Sequence, residues 1–193
     1  MGEMVKKYHN YCNVFDKPKT EKKIEDQENS WCSSFVSWCL DQTDYKGAKS
    51  AGSQSVLWKE GKLFKRIEEP EFGCIVVFTN YVKSDGHQNA KGHITFLYGR
   101  DTAGDLICLG GNQGQRIKFS RYFEDKNKVN STFKQRVKGY GKVLVEQKFQ
   151  GFFLPKNYPE NNGKELQIVN LKKLNDQLAG KAVKSNTENE STL

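Results

Sequence analysis

A cysteine, a histidine and an amide follow one another along this chain in an order that suits nucleophilic catalysis. Cys32 stands in Trp31-Cys32-Ser33-Ser34-Phe35-Val36-Ser37-Trp38-Cys39-Leu40, a segment apolar over most of a helix's girth and preceded by Asn29 and Ser30, either a good N-cap. Such a helix is a central, buried element, and it holds Cys32 in its first turn. Free backbone N–H groups and the positive end of the dipole favour an anion there. An unperturbed thiol titrates near ~8.5, and the dipole is worth only ~0.3–1 kcal/mol, less than one pKa unit. A reactive Cys32 therefore needs a histidine, since Cys–His ion pairs bring the thiol down to roughly 3–4.

Three histidines are available. His9 lies in a short helical pattern (Met4, Tyr8, Tyr11, Cys12) with no polar company, and His87 sits in the exposed-looking loop Ser84-Asp85-Gly86-His87-Gln88-Asn89. His93 opens the strand Gly92-His93-Ile94-Thr95-Phe96, behind a glycine that lets the backbone be approached closely. A strand end holds a base better than a loop does, which favours His93. Past the next strand comes Gly110-Gly111-Asn112-Gln113, where an amide can orient the imidazole and complete a Cys–His–Asn set. Each residue alone has a plainer reading, because a free Cys is commonly a core residue. The ordered combination is what carries the chemistry.

The elements that must position these groups can be read around them. Residues 30–62 suggest two helices, and 72–154 read as strands. The clearest are Ile75-Val76-Val77-Phe78, Ile94-Thr95-Phe96-Leu97-Tyr98, Leu106-Ile107-Cys108-Leu109, Lys142-Val143-Leu144-Val145 and Gly151-Phe152-Phe153-Leu154-Pro155. The turn formers Asp101-Thr102-Ala103-Gly104-Asp105 predict an antiparallel hairpin. Helices followed by an antiparallel sheet make the class α+β. The catalytic unit spans 1–155, with a charged stretch over 17–28. Beyond Pro155 a linker-like run leads to an amphipathic helix over about 164–180, built on Leu166, Val169, Leu171, Leu174 and Leu178, and then to a polar tail expected to be disordered.

Composition narrows the function classes. Against 31 Lys and Arg stand 23 Asp and Glu, a formal net charge of +8 that suits an anionic partner as well as it suits ordinary surface solvation. Zinc-finger spacing, a basic heptad region and an RNA-binding aromatic signature are all missing, so nucleic acid is not expected as the partner. The longest apolar run is Cys74 to Phe78, too short for membrane insertion. Met1 to Lys7 lead into His9, Asn10 and Asn13 rather than an apolar stretch, so no export leader is expected. Cys12, Cys32, Cys39, Cys74 and Cys108 form no CxxC pair, and His87 and His93 are separated by a loop. No metal or cofactor is expected.

The motifs W-C-S-S-F-V-S-W-C-L from Trp31, F-G-C-I-V-V-F from Phe72, G-H-I-T-F from Gly92 and L-G-G-N-Q from Leu109 together resemble the CHAP and NlpC-type peptidoglycan hydrolases, over roughly residues 5–155. The resemblance implies a papain-like fold with Cys32 as nucleophile, His93 as general base and Asn112 as orienting residue. Trp31, Ser33 and Gln113, beside these positions, are then the candidates for substrate contacts. Cys74 stands where an acidic residue is common in such proteins, and Asn112 occupies a position that varies among them. The implied activity is amidase or endopeptidase cleavage of the cell-wall peptide. A chain made in the cytoplasm without a leader would act in a target cell's periplasm or wall after delivery. That fits an interbacterial effector, such as a type VI secretion cargo with a cognate immunity protein, or a phage endolysin. An inactive wall-binding protein of the same fold is the non-enzymatic rival.

Overall fold

The second strand is where this fold is organised, because both of its faces are buried. The computed structural model describes residues 3–12, 30–159 and 165–190. Strand β2 (Ile75–Val82) buries seven of its eight positions, as expected of a continuous apolar run with elements on both sides. Alternation sends Ile75 and Val77 to one face, where they pack with Cys32, Phe35, Val36, Ile94 and Phe153. Cys74, Val76 and Phe78 go to the other, with Leu97, Leu106, Cys108 and Phe149. The first face carries helix α2 (Cys32–Asp41), helix α1 (Glu3–Tyr11) against it, and the single turn α3 (Ser55–Trp58).

The remaining strands are β1 (Phe64–Ile67), β3 (Gln88–Arg100), β4 (Leu106–Gly110), β5 (Lys118–Tyr122), β6 (Ser131–Val137) and β7 (Gly141–Pro155). They run in the order β1-β7-β2-β3-β4-β5, with β6 also on β7. All of these pairings are antiparallel, so the chain is α+β as expected. The 101–105 hairpin forms between β3 and β4, with Gly104 at φ +86° and Asp101 N–H bonded to Asp105 O at 2.9 Å. Two segments expected as separate strands near 142–145 and 151–155 are one strand, β7.

The sheet curls strongly. Phe78 on β2 stacks on Tyr122 of β5 with centroids 4.5 Å apart, although β3 and β4 lie between them. A flat sheet would hold those strands roughly 14 Å apart. This curvature closes the second face on itself.

Three local expectations need correction. The N-cap of α2 is Trp31, with no side-chain capping bond; Ser30 lies outside the helix, and Asn29 lies outside the described residues, as does the charged stretch from Lys17 to Glu28. His9 does have polar company: it is 0% exposed, with Nδ1 2.9 Å from Ser34 Oγ of α2. The sequence shows an amphipathic turn but not what its face meets. The C-terminal helix α4 runs Leu171–Glu190 rather than from about 164 to 180. Residues before it are extended along β3, where Gln167 O accepts from Arg100 N–H at 3.0 Å and Arg100 O from Val169 N–H at 2.7 Å. Gly99 permits that approach, since a Cβ there would sit 2.6 Å from Gln167 O. Asn170 then caps α4 through Oδ1, which accepts the Lys173 N–H at 2.9 Å. The helical backbone continues through most of the tail expected to be disordered, and 191–193 lie outside the described residues.

Helix α4 docks by a side chain that imitates a strand. Asn175 Oδ1 accepts from Phe119 N–H at 2.9 Å, and its Nδ2 donates to Phe119 O at 3.1 Å. The edge of β5 is thereby covered. Among the described residues no helix is long and apolar enough to cross a membrane.

Candidate active site

Helix α2 begins at Cys32 because Trp31 anchors the turn before it. The Trp31 indole stacks on Tyr8 at 6.0 Å and lies against Gly111, where an added Cβ would be 2.5 Å from Trp31 Cζ3. Ser33 Oγ donates to Ser50 O at 2.7 Å and lies 3.0 Å from Ser55 Oγ, tying the same turn to α3. Trp31 and Ser33 are both buried and lie in the core around the helix start, off the cavity wall described below.

Cys32 is 4% exposed, and the backbone N–H of Ile94, the residue after His93, is near enough to its sulfur to favour a thiolate. Its own N–H and that of Ser33 also favour a thiolate, as a helix N-terminus should. Burial outweighs them and pushes the thiol up to about 11. His93 is 8% exposed, and burial drives its imidazole down to about 4. The sequence-based expectation of a thiolate–imidazolium pair is therefore not met: at neutral pH both groups are uncharged. Desolvation disfavours either charge, and no hydrogen bond joins the sulfur to a ring nitrogen.

The strand end that carries His93 is fixed firmly. His93 lies opposite Phe78 in the β2–β3 ladder. Gly92 N–H donates to Ser53 Oγ at 2.8 Å. Gln54 donates to Phe78 O at 2.9 Å and accepts from Thr79 Oγ1 at 2.6 Å. A Cβ on Gly92 would strike Phe78 O and Gln54 Nε2, so only glycine fits. The close approach expected of this glycine is thus made by the β2 backbone at Phe78 and by Gln54 before α3. Imidazole Nε2 is buried with no hydrogen-bond partner, and the ring packs 6.0 Å from that of Tyr122. Tyr122 is held in turn by Gln113, whose Oε1 accepts from the phenol at 2.6 Å. Its Nε2 donates to Gly110 O at 3.1 Å and Lys118 O at 2.5 Å.

His93, Asn112 and Gln113 come together on the wall of one cavity of about 270 Å³. Asn112 is half-buried with φ +60°, a left-handed conformation that Asn tolerates better than most residues. It does not bond His93 Nε2. The rest of the wall comprises Ser30, Asn80, Gly92, Tyr122, Phe133, Gln135 and Gln147, so the lining holds no Asp, Glu, Lys or Arg. Cys32 is not on this wall; its neighbour in the strand that carries His93 is Ile94. Asn80, Tyr122, Gln135 and Gln147 were not anticipated. The available signal was Asn80, a polar residue inside an otherwise apolar strand. The five cysteines are free thiols, and no group of three or more His, Cys, Asp or Glu side chains able to hold a metal occurs among the described residues.

No protein-family model, curated protein or solved structure matches the chain.

Proposed function

We propose that this protein is a cysteine peptidase or amidase of the papain-like type that hydrolyses an amide bond in the cell-wall peptide. The observation that carries the reading is the position of the Cys32 thiol. It sits at the N-terminus of a buried helix, close to the backbone N–H of the residue next to His93, which itself lines a polar cavity. The motif order from Trp31 to Gln113 and the net charge of +8, suited to an anionic envelope, support it further.

In this mechanism the thiol and imidazole rest neutral, and the proton moves from sulfur to His93 as the substrate carbonyl arrives. The hydrogen bond that carries this proton is not made in the free protein and forms in the substrate complex. Sulfur attacks the carbonyl carbon, and the oxyanion develops beside the free N–H groups of the first turn of α2. His93 returns its proton to the leaving amine, then takes one from the water that hydrolyses the thioester. Asn112 orients the imidazole once substrate fills the cavity. These steps use no metal or cofactor.

The biological reading is an antibacterial effector that reaches the wall of a target cell by specialised delivery and is restrained in its producer by an immunity protein. A phage endolysin would use the same chemistry. The non-catalytic rival, a wall-binding protein, draws on one observation, the buried and protonated thiol. Incubating the protein with purified sacculi and identifying soluble fragments by mass spectrometry tests the proposal and names the bond cut. Sacculi that bind the protein yet release nothing would favour the rival.

A further inference from the structure

The cavity beside His93 has a chemical character of its own. Asn80 of β2 is 1% exposed and Gln147 of β7 is 7% exposed, and they face each other across the ladder. Gln147 Nε2 donates to Asn80 Oδ1 at 3.1 Å, and Asn80 Nδ2 donates to Gln135 Oε1 at 3.2 Å. Asn89 Nδ2 donates to the same Gln135 oxygen at 2.7 Å. Four carboxamides from four strands thus form one chain of hydrogen bonds.

A primary amide has two donor hydrogens and an acceptor oxygen with two lone pairs, so the chain has unspent ends. Among the described residues Gln135 Nε2 donates to nothing and Gln147 Oε1 accepts from nothing. Neither is among the buried side-chain atoms without a partner, so both ends are accessible, on residues that line the cavity. Asn89 Oδ1 is a third unspent end, on a residue off the cavity wall. Turning all four amides over exchanges the roles but still leaves the two wall residues, Gln135 and Gln147, with one unspent donor group and one unspent acceptor between them. A carboxamide or peptide group is what satisfies such a pair. A carboxylate offers only acceptors, and the wall supplies no Lys or Arg to pair with it.

We infer that the Asn80–Gln135–Gln147 cavity is a carboxamide subsite, and that the substrate segment it takes is uncharged and amide-bearing rather than a peptide with a free carboxylate there. This rests on the reading of the cavity as the substrate site of an amide hydrolase. It adds the chemical class of group next to the bond that is cut.

The test uses the full chain and two synthetic N-acetylated cell-wall-type peptides that differ only in a carboxamide or a carboxylate beside the scissile amide. Binding is measured by calorimetry on the Cys32→Ala variant and kcat/KM on the wild type. The carboxamide peptide should be favoured by about 100-fold or more in both, since a site built for amide hydrogen bonds strongly rejects a group it cannot pair. Gln135→Glu keeps the oxygen that accepts from Asn80 and Asn89 but replaces the free donor, and should reduce that preference at least tenfold. Equal binding, a preference for the carboxylate, or no binding of either peptide overturns the inference. If neither peptide is cleaved but the carboxamide still binds selectively, the subsite stands and the hydrolase reading falls. If both are cleaved alike, the reverse holds.

Discussion

Acidification should destabilise this fold through His93 by a calculable amount. In the folded protein burial holds the imidazole down to about 4, against an ordinary value near ~6.5. As pH falls through 6.5, the unfolded chain takes up a proton that the folded protein refuses until about pH 4. The stability due to His93 is therefore fully present above the unfolded value and lost as pH falls toward the folded one. At ~1.36 kcal/mol per unit, the loss between pH 7 and pH 4 is about 3 kcal/mol. Because His93 is not the sole group that bears on acid stability, the measurement is a difference. Urea unfolding, followed by tryptophan fluorescence at half-unit pH intervals, is compared between wild type and His93→Gln. The wild type should lose about 3 kcal/mol more than the variant, whatever stability the variant starts from. Parallel pH profiles would mean that His93 titrates alike in both states and is not desolvated.

Further outcomes follow from other contacts. Cys32 should alkylate far more slowly in folded protein than in urea at pH 7.5, because burial keeps the thiol protonated to about pH 11; peptide mapping with mass spectrometry reads the rates, and equal rates would contradict it. Gly92→Ala should cost about 3 kcal/mol or more by driving a Cβ into Phe78 O and Gln54 Nε2, read by urea unfolding, whereas a change below about 0.5 kcal/mol would show that the loop gives way. Asn175→Ala should remove both bonds to the Phe119 backbone, costing about 1–3 kcal/mol and speeding exchange of the Phe119 amide, while leaving the β2–β3 ladder protected.

Apolar pattern made the skeleton legible. The run from Ile75 to Phe78 reads as a strand, and the Asp101–Asp105 turn chemistry fixes the hairpin that follows His93. Short or half-exposed strands such as β6 are hidden because their side chains lack strong alternation. The curl that sets Tyr122 beside Phe78 and His93 is a property of the closed sheet, with no local signature. The start of α4 was missed because Leu166 and Val169 continue its apolar spacing while Asn170, the true cap, looks like one more polar residue.

In the site, the thiol and histidine were legible as types at revealing places, a helix start and a strand start. Their charge state was not. Helix dipole and ion-pair arguments point to a low thiol pKa, but desolvation depends on what covers the pair, which only the packed structure supplies. The amide chain was hidden for a related reason, since Asn80, Asn89, Gln135 and Gln147 come from four strands far apart in sequence.

The central claim is that Cys32 is the nucleophile of a cell-wall amide hydrolase. It is tested most directly by incubating purified sacculi with wild type, Cys32→Ala and Cys32→Ser, and quantifying newly freed amines and soluble fragments. All three proteins should first show the same unfolding midpoint within a few degrees. Release is expected from the wild type alone, with both variants at the no-protein baseline. Release by Cys32→Ala at the wild-type rate, or no release by a folded wild type, would contradict it.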